Sequence, residues 1–317
     1  MKNIHKIIIS LILSYIFSIS YAQTDPINIS FENASVVTGD NQLIVSTGKI
    51  KRKWEWTGKG LVTVSLKDLE SQREWCTHKP TYLCDWTFPG LIEDSTSAKL
   101  VSLTAKIAND EGFTSDHIEI VAEIHYESLM AVQYVIWAFP NATGIRTQLK
   151  VRALHGMDQL KAVNARNVLA RNEYIPLSWK ALNRRAIGYY NDTQRRNKCN
   201  LELLREEVFT GSVLQPEKYD WPNMLIAENS MGGLILVKES HKCVNQNGVL
   251  TGAFHANAAG LSSTGWGLEV RHVIAERWRS AWAHWCILYQ GGGEDRQMAL
   301  KSFDRMRYPV NPDLDIY

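Results

Sequence analysis

The apolar residues of this chain recur at every second position over most of its length, and that period limits what it can fold into. In "KIKRKWEW", Ile50, Arg52, Trp54 and Trp56 fall on one face, with Lys49, Lys51, Lys53 and Glu55 on the other. Successive side chains of an extended strand point to opposite sides, so this spelling marks a strand with one buried face. "TGKG" then turns the chain into "LVTVSLKD". Val101, Leu103, Ala105 and Ile107 alternate with polar neighbours in "AKLVSLTAKIA", as do Ile118, Ile120, Ala122 and Ile124 in "HIEIVAEIHY". "MAVQYVIWAF", "GIRTQLKVRAL", "MLIAEN", "GLILVKES", "WGLEVRHVI" and "AHWCILYQ" read as further strands. Alternation at this density predicts antiparallel sheets with one face buried. No internal repeat or Pro/Ser linker divides the run, which predicts one large sandwich.

Helical spacing is sparse. "EDRQMALKSFDRMR" places Ala299, Phe303 and Met306 at i, i+4 and i+7 and predicts a C-terminal helix. "DQLKAVNARNVLARN" is a weaker second case. At the other end, Lys2, His5 and Lys6 precede the apolar "IIISLILSYIFSIS" and the small-residue site "SYA" ending at Ala22. This is the pattern of a secretory signal peptide cleaved after Ala22, giving a secreted or periplasmic protein. The apolar run is short of the ~20 residues that a membrane span needs. The polar "QTDPINISFENASVVTGDN" then reads as a leader over residues 23–41. The sandwich is expected over residues 42–292, and a helix with a linker over residues 293–317.

With 35 basic against 33 acidic residues, nothing points to nucleic acid or to an anionic membrane as partner. Five cysteines remain in the mature chain. Cys76 and Cys84 flank "THKPTYL", so the two either form a local disulfide or stay, with the other three, as buried thiols. No C-x-x-C pair is present, and neither a metal site nor a cofactor is expected.

The polar stretch "KESHKCVNQNG", Lys238 to Gly248, follows the apolar "GGLILV". Sites often sit where a strand ends. Alternation puts Glu239, His241 and Cys243 on one face and Lys238, Ser240 and Lys242 on the other. Glu239 beside His241 is expected to form a carboxylate–imidazole pair, and Asn245, Gln246 and Asn247 each donate and accept, as sugar hydroxyls require. The competing reading is a polar turn closed by Gly248. Eleven tryptophans serve either as core or as stacking surface for sugar rings, core being the commoner fate. Trp221, held before Pro222 in "YDWPNM", is a candidate of the second kind. "GLSSTG" is not a nucleophile elbow and reads as a loop. "GGGEDRQ" could cradle an anion at the start of the helix.

Read in order, "IKRKWEWTGKGLVTVSLKDLESQREW", "NMLIAENSMGGLILVKESHKCVNQNGVLTGAF" and "ALKSFDRMRYPVNPDLDIY" resemble the N-terminal domain of family 36-like glycoside hydrolases, the α-galactosidase group. The resemblance runs from about Leu43 to Tyr317. It implies a mostly β fold, a large antiparallel β-supersandwich similar to galactose mutarotase, ahead of a (β/α)₈ barrel that carries the catalytic aspartates. A barrel takes ~250 residues, so strands that consume this chain leave no room for one. Asp313 and Asp315 stand in the linker and match neither aspartate. The resemblance thus implies a non-catalytic, carbohydrate-associated module, truncated or split. Its partners would be a carbohydrate and either a separate barrel chain or another copy of this chain. Its expected sugar contacts are Trp221, Glu239, His241, Lys242, Asn245 and Gln246, with no catalytic residue. A stand-alone sugar-binding protein is the second expectation. A mutarotase-like enzyme using His241, His255 or His272 with Glu239 or Glu269 is the third.

Overall fold

The computed structural model describes residues 26–88, 91–93, 95–155, 171–189, 204–210, 217–219, 222–239, 254–265, 267–268, 273–275 and 277–310. In chain order the strands are β1 (Asn28–Phe31), β2 (Ala34–Gly39), β3 (Gln42–Ser46), β4 (Ile50–Trp56), β5 (Leu61–Asp68), β6 (Ala98–Ala108), β7 (His117–Tyr126), β8 (Met130–Ala138) and β9 (Gly144–Ala153). They continue with β10 (Arg171–Ile175), β11 (Asn183–Tyr189), β12 (Leu204–Phe209), β13 (Glu217–Tyr219), β14 (Met224–Asn229), β15 (Gly232–Lys238), β16 (Phe254–Asn257), β17 (Gly260–Thr264) and β18 (Arg279–Gln290). Among the described residues there is one α-helix, α1, spanning Gly293–Arg307, besides a single 3-10 turn over Asp110–Gly112.

These strands form three sheets: β1-β2-β3-β4-β5, β10-β17-β16-β13, and a nine-stranded sheet ordered β12-β11-β14-β15-β18-β9-β8-β7-β6. Every described pairing is antiparallel. The inward faces of all three share one core. Val36, Leu43 and Trp54 of the first sheet, Ile175 and Leu261 of the second, and Ile118, Ile120, Ile124, Leu234 and Leu236 of the third belong to it. The fold is therefore mostly β and layered, with the nine-stranded sheet as its spine.

The spine is covered on its other face by α1. Phe303 is fully buried and meets Phe139 and Trp285 edge-on or tilted. Gly144 makes room for it: a Cβ there would lie 2.9 Å from the Phe303 ring. Burial on both faces explains why β15, "GGLILVK", is buried at every position rather than alternating. Strands covered on one side only keep the period of two, as β4 and β7 do.

Several expectations need correction. Residues 23–41 are not merely a leader, because β1 and β2 lie within them and belong to the five-stranded sheet. The buried positions there are only Ala34 and Val36, too few to announce a strand among polar neighbours. The helix expected from the spacing of Ala299, Phe303 and Met306 is present, and it forms a layer of the body. On β6, Val101 and Ile107 face solvent while Leu103 and Ala105 pack only partly. A register shift between Leu100 and Ser102 turns the strand at Val101, and β6 is the edge of its sheet. "GLSSTG" contains the fully buried strand β17, flanked by β10 and β16. Its small residues fit a crowded seam, and neighbours on both sides complete its ladder. In "WGLEVRHVI", the described residues Gly267, Leu268, Val273 and Ile274 lie outside strands.

Cys76 and Cys84 are free thiols, as is Cys286. Cys84 turns inward instead, and its Sγ would meet a Cβ on Gly60 at 2.2 Å. The glycine-rich start of α1 is occupied by its own carboxylate, Asp295 Oδ2 accepting from Gly292 N–H at 2.8 Å. The signal peptide, all but the last two residues of "DQLKAVNARNVLARN", and Asp313 and Asp315 lie outside the described residues. Among the described residues no helix is long and apolar enough to cross a membrane.

Candidate functional site

The end of β15 is where the structure and the polar stretch meet. Lys238 and Glu239 are consecutive, so they leave the nine-stranded sheet on opposite faces. The backbone N–H of Glu239 donates to Ala283 O on β18 at 2.8 Å, which extends the pairing one residue beyond β15.

On the helix side, Glu239 is clamped. Its Oε2 accepts from Arg146 Nε at 2.8 Å, with Arg146 NH2 at 2.7 Å. Its Oε1 accepts from Arg307 Nε at 3.0 Å and from the Tyr308 hydroxyl at 2.7 Å. Both guanidiniums lie over Trp137, at 4.1 and 5.2 Å from the ring centroid. Burial would raise the carboxyl's pKa, but Arg146, the Tyr308 hydrogen bond and Arg307 outweigh it and hold it below the usual carboxylate range. The same contact and burial push the Tyr308 hydroxyl up to about 12. This carboxylate ties β9, β15 and α1 together.

On the interior side, Lys238 Nζ donates to Thr264 O on β17 at 3.0 Å. Its register partner on β18 is His284, whose own partner on β9 is Thr147. Lys238 and His284 are buried, and His284 Nε2 has no hydrogen-bond partner among the described residues. Burial, with Lys238 and Arg146 nearby, holds His284 neutral well below the ordinary histidine range. Thr147 donates to Glu173 Oε2, and Asn172 Nδ2 donates to Gly265 O. A polar seam thus runs through the interior between the nine-stranded and four-stranded sheets.

The seam continues to the five-stranded sheet through Arg52. Its NH2 reaches Glu173 Oε1 at 2.5 Å and Asp85 Oδ2 at 3.3 Å. Thr63 receives Arg52 Nε at 3.0 Å, and Asp85 Oδ2 also faces Trp54 Nε1 at 3.1 Å. All of Arg52, Asp85 and Glu173 are buried from solvent. A fourth carboxylate, Glu228, is held by Arg185 at 2.5 Å, Arg296 at 2.9 Å and the Tyr289 hydroxyl.

Of the expected sugar contacts, only Glu239 is described. Trp221, His241, Lys242, Asn245 and Gln246 lie outside the described residues, as do His272 and Glu269. The structure does not bring Glu239 and His255 together. Glu239 faces the helix, while His255 sits on β16 of the four-stranded sheet near Asn257, at 3.4 Å. Seven tryptophans, at positions 54, 56, 75, 86, 137, 179 and 285, are buried, and Trp278 and Trp282 are the half-buried ones among those described. Trp278 stacks under Arg152 at 4.7 Å, and Trp282 packs on Gly267, where a Cβ would stand 2.1 Å from its Nε1. Trp282 is the neighbour of Ala283, the residue that receives the Glu239 N–H, so it stands beside the strand end from which the polar stretch leaves, while Trp278 precedes β18 and lies against β9. Sequence reasoning passed over them in favour of Trp221. It also passed over Arg52, whose inward phase in "KIKRKWEW" was the available signal for a buried cation. Among the described residues no group of three or more His, Cys, Asp or Glu could hold a metal ion.

No protein-family profile and no curated protein matches the chain in sequence. Solved structures with a similar course of strands include an α-galactosidase from Lactobacillus brevis, at 9 % identity and TM-score 0.49, over 85 % of this chain and 42 % of that one. The family 36 α-galactosidase AgaA of Geobacillus stearothermophilus matches at 8 % identity and TM-score 0.48, over 79 % of this chain and 41 % of its own. Galactose 1-epimerase from Lactobacillus acidophilus matches at 8 % identity and TM-score 0.40, over 84 % of this chain and 99 % of its own. The chain spans about two fifths of the length of these α-galactosidases.

Proposed function

We propose that this chain is a non-catalytic, carbohydrate-associated β-sandwich module, exported from the cell, that meets sugar at the open end of β15 and β18. The observation that carries this reading is the division of labour at that end. Glu239, the carboxylate there, has both oxygens committed to Arg146, Arg307 and Tyr308, whereas Trp282 beside it is only half-buried, as is Trp278 further along the chain. A glycosidase needs one carboxyl free to give a proton and another free to attack or to activate water. Asp85, Glu173 and Glu228 are likewise engaged by protein donors. A half-buried indole at the strand end where a sequence rich in Asn, Gln and Lys begins suits a pyranose, whose apolar face stacks while its hydroxyls pair. The resemblance of the sequence to α-galactosidase N-terminal domains supplies the sugar class, galactose-containing oligosaccharides.

Calorimetry of the purified chain against such oligosaccharides tests the binding, and an aryl α-galactoside tests the chemistry. The expected result is saturable binding, weakened at least tenfold in Trp282→Ala, with no release of nitrophenol. Nitrophenol release by the wild-type chain overturns the non-catalytic reading. Absence of binding to every galactoside offered overturns the sugar reading. Polarimetry of fresh α-galactose addresses the mutarotase alternative, for which accelerated mutarotation would be the positive sign.

A further inference from the structure

The centre where the three sheets meet holds more negative charge than positive. Arg52 comes from β4 and Glu173 from β10. Asp85 lies on the chain after β5, fixed by its N–H to Leu61 O at 2.9 Å. Tyr134 of β8 and Thr147 of β9 close the site from the nine-stranded sheet by donating to Glu173 Oε2. Arg52, Asp85 and Glu173 are each 0 % exposed. One guanidinium balances one carboxylate, and among the described residues the second has no cation of its own. Ionising it away from water costs more than its share of one guanidinium returns.

We propose that Asp85 takes up a proton as the sheets close around Arg52, so that the joint between them is a pH-dependent lock, tight in mild acid and looser in alkali. Glu173 is the natural counter-ion of Arg52, being the nearer at 2.5 Å against 3.3 Å for Asp85. Asp85 Oδ1 accepts from the Thr63 N–H at 2.9 Å, and Oδ2 accepts from the Thr63 hydroxyl at 2.6 Å and Trp54 Nε1 at 3.1 Å. Of these only the hydroxyl, which itself accepts from Arg52 Nε and NH2, can also accept from the acid. The other groups around Asp85 do not supply the missing charge. Arg171 of β10 spends its guanidinium on the backbone carbonyls of Cys84 and Asp85, at 2.8 and 3.3 Å. Tyr134, Tyr174, Cys76, Cys84 and Cys286 are held neutral, burial raising each of them. Burial, with Glu173 adding to it, also pushes Asp85 up to about 7 against Arg52 and Thr63.

The sign follows from proton linkage. A carboxyl raised on folding binds its proton in the native state while the unfolded chain has lost it. Between the ordinary aspartate range near 3.8 and about 7, stability therefore falls as pH rises. Buried neutral His117 and His284 slope the opposite way below the ordinary histidine value of 6.5, so the comparison must be with a variant that keeps them. Urea denaturation of wild type and Asp85→Asn at a series of pH values between 5 and 8 is the test. The ratio of their folding constants is expected to shift about tenfold per pH unit in favour of Asp85→Asn as pH rises toward 7, and to level off above it. A ratio that stays constant overturns the proposal. If Asp85→Asn does not fold, infrared difference spectra of the wild-type chain decide. A protonated carboxyl band at pH 5 that vanishes by pH 8 supports the lock, and its absence at pH 5 overturns it.

Discussion

Glu239 shows how one residue can belong to a polar stretch and yet serve the frame. It sits where a strand leaves the sheet, beside side chains suited to sugar, and its carboxylate is spent on Arg146, Arg307 and Tyr308. Charge-assisted hydrogen bonds of this kind contribute about 1.5–3 kcal/mol each when partly buried. Glu239→Gln keeps the shape but leaves two guanidiniums facing a neutral amide. The variant should lose about 2 kcal/mol or more in urea denaturation at pH 7. The loss should also depend on pH with a defined sign. The native carboxyl lies below its ordinary value of 4.5, so its contribution is complete above that value and disappears as pH falls through the native one. Wild type and variant should therefore converge in acid, and a gap that persists there would contradict an ionised clamp. The pairing expected from sequence, Glu239 with His241, was drawn along the strand. The partners came from β9, from the last turn of α1 and from Tyr308 just after it, contacts with no signature in local spacing.

At the scale of elements, legibility followed exposure. Strands wet on one face, such as β4 and β7, spelled out their period, and β5 and β14 fell on the very residues quoted as "LVTVSLKD" and "MLIAEN". β17 did not, because burial on both faces removes alternation and leaves only small residues, which look like a loop. Gly260 makes the point physically. Its φ is +140°, and a Cβ there would lie 2.2 Å from Ile175 O on β10. Backbone cannot retreat as a side chain can, and such conformations disfavour any residue but glycine. Gly260→Ala should cost more than about 3 kcal/mol, at the upper end of single-residue effects. Thermal denaturation measures it directly, with Gly39→Ala as comparison, since an added Cβ there meets nothing within 4 Å. Equal losses at the two positions would mean that β10 and β17 are not as closely apposed as described.

For the molecule as a whole, the open question in the sequence was where the body ends. Three sheets share one core, and the spine among them needs a cover on its outer face. Val135, Trp137, Phe139, Ile226, Ile235, Trp285 and Ile287 form that face, and Ala299 and Phe303 of α1 sit on it. Residues 293–317 were expected to hold a helix and a linker leading away from the sandwich, because "ALKSFDRMRYPVNPDLDIY" resembles the link that follows such a domain. The amphipathic spacing of Ala299, Phe303 and Met306 already implied an apolar face for it to rest on. A chain ending at Gly292 should therefore expose a broad aromatic surface, bind a hydrophobic dye in the native state and aggregate, rather than fold as an independent sandwich. Phe303→Ala offers a gentler version within the full chain. Removing a fully buried phenylalanine should cost about 3–5 kcal/mol, read as a lower urea midpoint with an unchanged slope. If α1 were only a tether, both changes would leave the midpoint where it is, since a tether carries none of the free energy of the core it follows.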